Sequence, residues 1–245
     1  MTKYIAEIGL NHLGNPKLGF QLVKKAVASG VHGISMQILS PSYYDNSKPW
    51  KREIDKVFYK EVTNFLKKKK ISFGLGIVDV EAVQNFSDIK IDFWKIISYG
   101  FYNKHLIKAA IKTNKNVYIS TGTASMQDII KCSKNYKKVN FIHTTLSKRT
   151  NPNMLAIQSM EKNVKNKVSF GLHSEEDEMI ISAISLKADP IFFYVKNNDN
   201  RNYPDNMHAI SVNKLSAKIK LWKKISSSMG NGVKKRLGTP SWVFK

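Results

Sequence analysis

Cysteine is nearly missing from this chain, with Cys132 the only one. No disulfide can form within the chain, a cysteine-rich zinc module is excluded, and a reducing compartment suits it. Long apolar runs are missing as well. No stretch approaches the ~20 residues that a membrane-spanning helix needs, and the opening MTKYIAEIG lacks the apolar core of a secretory signal. These absences predict a soluble, cytoplasmic protein with no membrane partner. No Pro-, Ser- or Gly-rich stretch marks a linker, so the 245 residues are expected to form one domain. Acidic side chains are scarce, 18 against 40 Lys and Arg, which leaves a net charge of +22.

That charge is carried in runs: KKKK (67–70), KNYKK (134–138), KNVKNK (162–167) and KIKLWKK (218–224). They fall at or near the ends of expected helices, where cations are locally favourable. No basic motif is interleaved with aromatics and no nucleic-acid signature matches, so nucleic acid is not an expected partner. Such a charge can instead steer a small anionic substrate.

Short β-rich runs alternate with stretches of helical period. Strands are expected at 3–8, 33–37, 71–77, 92–97, 116–120, 138–144, 167–173 and 190–195. Helices are expected at 16–29, 53–69, 81–86, 104–112, 126–133, 153–163, 176–187 and 212–228, the first capped by Asn15 with Pro16 in its opening turn. Eight strand–helix units predict a (β/α)8 barrel, a TIM barrel in a single domain. A doubly wound open sheet would have fewer units and a Gly-rich phosphate loop, and GLGIVD (74–79) lies within a strand instead.

In such a barrel the C-terminal strand ends carry the chemistry. Here they offer Glu7, Gln37, Asp79, Lys95 with Ser98, Ser120 with Thr121, His143 with Thr144 and Thr145, His173 with Ser174, and Lys196. Glu7 is the most telling. It interrupts the apolar run Tyr4, Ile5, Ala6, Ile8, and a carboxylate on a buried strand is costly without a partner or a task.

Several segments, in order, resemble the N-acetylneuraminate (sialic acid) synthase family. IAEIGLNHLGN (5–15) is similar to its opening Ala-Glu-Ile-Gly-x-Asn-His-x-Gly, and ISTGTASMQDI (119–129) to its Leu-Ser-Thr-Gly-Met-Ala-Thr. GISMQ (33–37), DFWKIIS (92–98), FIHTT (141–145) with NMLAI (153–157), and MGNGVKKRLGTPSW (229–242) resemble further family segments. The resemblance covers the barrel (1–245), with 229–245 as a closing tail. It implies condensation of phosphoenolpyruvate with an N-acetylated sugar, in the biosynthesis of nonulosonic acids or other surface glycans. It implies a catalytic role for Glu7, with Asn11 and His12 fixing the loop above it. Gln37, Lys95, Ser98, Ser120, Thr121, His143 and Thr145 are then the substrate-binding set, Lys95 supplying a point charge and the serines directional hydrogen bonds.

The chain also departs from the family pattern. Ser35 stands where a lysine contacts phosphoenolpyruvate, and Gly100 where an acid is usual. The family implies a divalent metal, manganese or magnesium, held by two histidines. The first falls on Glu175, or on His173 if two residues are deleted, and the second lies within Phe192, Phe193 and Tyr194. In YPDNMHAIS (203–211), His208 is displaced by a short insertion from a family histidine. The sequence ends after TPSWVFK, so the barrel is expected to stand without the family's antifreeze-like domain. A homo-oligomer or a separate complementing subunit would then supply missing groups. The alternative is a non-catalytic barrel that binds a sugar phosphate, or a partner subunit that has lost the metal site.

Overall fold

The computed structural model describes residues 2–45, 47–146, 151–234 and 238. Most of the closing tail (229–245) therefore lies outside the described residues. Eight parallel strands alternate with eight helices: β1 (Tyr4–Gly9), α1 (Pro16–Ala28), β2 (Gly33–Gln37), α2 (Lys56–Lys68), β3 (Ser72–Ile77), α3 (Val80–Asn85), β4 (Phe93–Ile96), α4 (Lys104–Lys112), β5 (Asn116–Ser120), α5 (Met126–Asn135), β6 (Val139–His143), α6 (Ala156–Asn163), β7 (Val168–Leu172), α7 (Met179–Ser185), β8 (Ile191–Lys196) and α8 (Val212–Ser228). Each strand pairs with the next, and β1 pairs with β8, so the sheet closes on itself. This is the expected (β/α)8 barrel. A two-residue strand, β9 (Ile210–Ser211), adds to the end of β8. No helix among the described residues is long and apolar enough to cross a membrane.

Helix starts follow their caps. Asn15 accepts the Leu18 N–H, and Pro16 opens α1. The second helix begins at Lys56, three residues later than expected, because Asp55 turns its carboxylate onto the Val57 N–H. Neither α6 nor α7 has a side-chain cap, and both start three residues late, at Ala156 and Met179. Without a competing acceptor the first turn is left in looser turn geometry.

Strand side chains alternate between the two faces, which divides the core in two. One set, including Tyr4, Ala6, Ile8, Ile34, Leu75, Trp94, Ile119, Phe141, Phe170 and Phe193, packs outward against the helices. The other is small and fills the barrel itself: Ile5, Phe93, Ile142 and Phe192, with Tyr118 packed against them. Phe93, Tyr118 and Phe192 meet edge to face, with centroids 5.3–6.1 Å apart. This plug closes the lower barrel. It fits because β3 has no side chain at Gly74, where a Cβ would lie 2.1 Å from the Phe93 ring. Gly74→Ala should therefore cost about 1–3 kcal/mol through overpacking. A denaturation midpoint unchanged from wild type would show that the ring can move aside.

Candidate active site

The next residue of the same parity on each inward strand stands one layer above the plug. Ile5 is followed by Glu7, Phe93 by Lys95, Tyr118 by Ser120 and Phe192 by Tyr194. A polar layer thus sits on an apolar one, at the C-terminal end of the strands. Register brings its members together: Glu7 lies opposite Ser35 and Tyr194, Lys95 opposite Gly76 and Tyr118, and Gln37 opposite Gly76.

Glu7 and Lys95 meet directly. The Lys95 ammonium donates to both carboxylate oxygens, at 2.5 and 2.6 Å, and both side chains are almost fully buried. The ammonium also lies 5.4 Å from the centre of the Phe192 ring and 5.6 Å from that of Tyr194. A pair this dry survives because the attraction is little screened and the geometry is bidentate. Burial, with Glu7 and Asp205 nearby, pushes the Tyr194 phenol well above its usual pKa. It holds its proton and can act as a hydrogen-bond donor.

Tyr194 also organises two histidines. The His173 and His208 rings stack, centroids 4.8 Å apart, and each lies 5.0–5.4 Å from the Tyr194 ring, edge on. Asp205 Oδ1 is 3.5 Å from His208 Nε2, and both nitrogens of this buried imidazole lack a hydrogen-bond partner among the described residues. Gly9 makes room for the group. Its φ is +54°, and a Cβ there would lie 2.6 Å from Tyr194 Cε1 and 3.0 Å from an Asp205 carboxylate oxygen.

Asn11 and His12 support the loop after β1. The Asn11 amide donates to the Val195 carbonyl at 2.9 Å and accepts the Asp205 N–H at 3.3 Å, tying this loop to the segment after β8. His12 accepts the Gly14 N–H on Nδ1, and burial lowers its pKa to about 4. It is therefore neutral near pH 7.

The other sequence-predicted residues are placed as follows. Ser98 and Ser120 are buried at the ends of β4 and β5, and the Ser98 hydroxyl accepts the Gly122 N–H at 3.2 Å. Gln37 ends β2, half-buried. Thr121 turns its hydroxyl onto the Ile142 carbonyl. His143 shares the outward parity of Phe141, and its Nε2 donates to the Pro152 carbonyl at 2.8 Å. With Thr145 it lines a separate cleft of about 560 Å³. The structure thus brings Glu7 and Lys95 together and sets His143 and Thr145 apart from them. Asp79 belongs to α3 as its cap and is bonded by Ser40. Lys196 is held by Asn206, and Glu175 is exposed after β7.

Sequence reasoning left Tyr194, Asp205 and His208 out of the candidate set. A period-two count along β8 from Phe192 would have placed Tyr194 above the plug. YPDNMHAIS points to His208, but only the loop after β8 carries it to the mouth.

The model of the NeuB family matches residues 36–234. The chain belongs to the NeuB family. Among curated relatives, N,N'-diacetyllegionaminic acid synthase of Campylobacter jejuni is 25% identical, over 96% of this chain and 79% of that protein. Among solved structures, N-acetylneuraminic acid synthetase of Leptospira borgpetersenii, crystallised with citrate, superposes with a TM-score of 0.87 at 22% identity, covering 96% of this chain and 87% of that one. A spore coat polysaccharide biosynthesis protein of Bacillus subtilis gives 0.83 at 19% identity, covering 97% and 71%. At family level, this NeuB chain is a carbohydrate-biosynthesis synthase.

A divalent metal goes with the NeuB family, but the donor set here does not fit one. The two imidazoles lie nearly parallel at 25° beside a protonated phenol, and Glu7 is engaged by Lys95. Among the described residues no group of three or more His, Cys, Asp or Glu is arranged to hold an ion.

Proposed function

We propose that this chain takes phosphoenolpyruvate, or a small anion of the same kind, at the barrel mouth and joins it to an N-acetylated sugar inside the cell. The observation that carries the reading is the buried, bidentate Glu7–Lys95 pair beside Tyr194. An entering anion competes with Glu7 for the ammonium, while Ser98, Ser120 and Gln37 offer directional bonds from rigid strand ends. Glu7, released from Lys95, becomes a base.

In the condensation, the phosphoenolpyruvate methylene carbon bonds to the aldehyde carbon, and the aldehyde oxygen takes up a proton. Water adds at the former enol carbon and gives up one proton, and inorganic phosphate leaves as its bond to that carbon breaks, carrying away the second water proton as the remaining oxygen becomes the ketone C=O. Glu7 accepts the proton from water, and Tyr194 donates a hydrogen bond to the aldehyde oxygen. Relatives named as legionaminic and sialic acid synthases support the substrate class. Any further cation the sugar needs is assigned to a second copy of the chain or a separate subunit.

The test is phosphate release from phosphoenolpyruvate with a panel of N-acetylated hexosamines, with and without manganese. Wild type should release phosphate only when a sugar is present. Glu7→Gln should still gain thermal stability from phosphoenolpyruvate yet lose about 10²-fold or more in turnover. Unchanged turnover in Glu7→Gln would remove it from the mechanism.

The stacked imidazoles favour a second reading, a barrel that binds a sugar phosphate and serves a partner enzyme. Stabilisation by phosphoenolpyruvate with no phosphate release from any sugar, with or without metal, would select it.

A further inference from the structure

In a (β/α)8 barrel every helix runs back against its strand, so all helix C-termini gather at the N-terminal face of the sheet. Here the last turns carry Lys25, Lys67 with Lys68, Lys112, Lys134 and Lys162. Each is locally favourable against the partial negative charge of its own helix end. The fold collects them on one floor, at the opposite end of the strands from Glu7.

Beneath β5, β6 and β7 that floor holds a depression of about 600 Å³. Lys3, Lys115, Lys137, Lys138, Lys165 and Lys167 line it, and no carboxylate does. None of the six forms an ion pair among the described residues. Lys115 donates to the Ile91 carbonyl at 2.9 Å, which leaves its charge uncompensated. Asp189 lies nearby and accepts the Lys3 backbone N–H at 2.7 Å, and Asp92 shares the neighbouring cleft with Lys115, its carboxylate accepting the Phe73 N–H. Uncompensated ammonium groups around a concavity repel one another and focus positive potential into it.

We propose that this depression is a second anion site, which binds a small ligand carrying two or more phosphoryl groups. Its volume is that of a small-molecule pocket. Its cations are all lysines, compact point charges suited to a chain of phosphoryl groups rather than to bidentate reading of one. A nucleic acid strand would need a platform for its bases. The aromatic ring in the wall, Tyr118, is instead held edge-on against Phe93 and Phe192 inside the barrel.

Calorimetric titration with sodium tripolyphosphate tests the proposal, with inorganic phosphate as the single-group control. Tripolyphosphate should bind one to one, about tenfold or more tighter than phosphate. The exposed triple variant Lys137→Gln, Lys138→Gln, Lys167→Gln should weaken it about tenfold while the mouth keeps its response to phosphoenolpyruvate. Lys108→Gln, Lys214→Gln, Lys220→Gln removes the same charge from outer helix faces and should change affinity less than about twofold. No binding at low salt, or equal weakening by both variants, would overturn the site. So would tighter binding by a duplex of about 20 base pairs that displaces tripolyphosphate, which would assign the floor to nucleic acid.

Discussion

Lys95→Met alone should destabilise the barrel by ~3–5 kcal/mol, because it leaves the Glu7 carboxylate buried without its cation. The double variant Glu7→Gln, Lys95→Met should recover most of that loss. It removes both charges at once, and the plug below and the Tyr194 ring beside them already supply apolar surroundings. Urea denaturation of the wild type, both single variants and the double variant measures the coupling directly, provided the slope is unchanged. A double variant no more stable than Lys95→Met would mean that the charges do not depend on each other, and the picture of a dry resting pair would fail. Glu7→Gln is the milder single change, since a neutral amide can still accept from the ammonium. The asymmetry between the two single variants is itself a readout of which charge the pocket cannot tolerate alone.

The second large effect concerns acid. His12 is buried with its pKa lowered to about 4, against an ordinary value of 6.5. The unfolded chain therefore takes up a proton at this residue before the folded one does. The stability this contributes is fully present above pH 6.5 and is lost as pH falls towards 4. Near pH 4.5 the loss is ~2–3 kcal/mol from this residue. His12→Asn retains an acceptor for the Gly14 N–H but cannot titrate. Its stability should fall less steeply than that of the wild type between pH 7.5 and 4.5, by about the same amount. Burial also lowers the pKa of His32 and His143, so both proteins should lose some stability in acid, and the comparison is between slopes. Parallel slopes would show that folding does not lower the His12 pKa.

The two predictions rest on neighbouring parts of one structure. His12 fixes the turn at Gly14, and Asn11 ties the same loop to Val195 and Asp205. Asp205 in turn reaches towards His208, which stacks on His173. The loop after β1 and the loop after β8 therefore brace each other above the Glu7–Lys95 pair. Loss of either brace would loosen the mouth without touching the reacting groups.

The strands and helices were legible because alternation, caps and apolar period are local. Asn15 and Pro16 announced α1, and Glu7 stood out because no isolated strand has a use for a buried carboxylate. Its partner was not legible in the same way. Lys95 is 88 residues away, and only the register of a closed sheet sets the two ammonium–carboxylate contacts. His143 shows the opposite outcome. A histidine at a strand end resembles a mouth residue until parity is counted, and one residue of offset turns it from the barrel interior to the helix layer. At Tyr194 the local sequence shows a phenol where the family has a histidine, while the face it shares with Phe192 sets it over the plug.

By itself the sequence determined the eight-fold alternation, the buried carboxylate and the lysines at helix ends, because each depends on neighbours a few residues away. Tertiary structure alone decided which charge meets Glu7, that Tyr194 and two imidazoles share the mouth, and that scattered lysines become one floor. Closing the sheet sets register and parity around the whole ring and points every helix the same way, and no local stretch of chain contains that information.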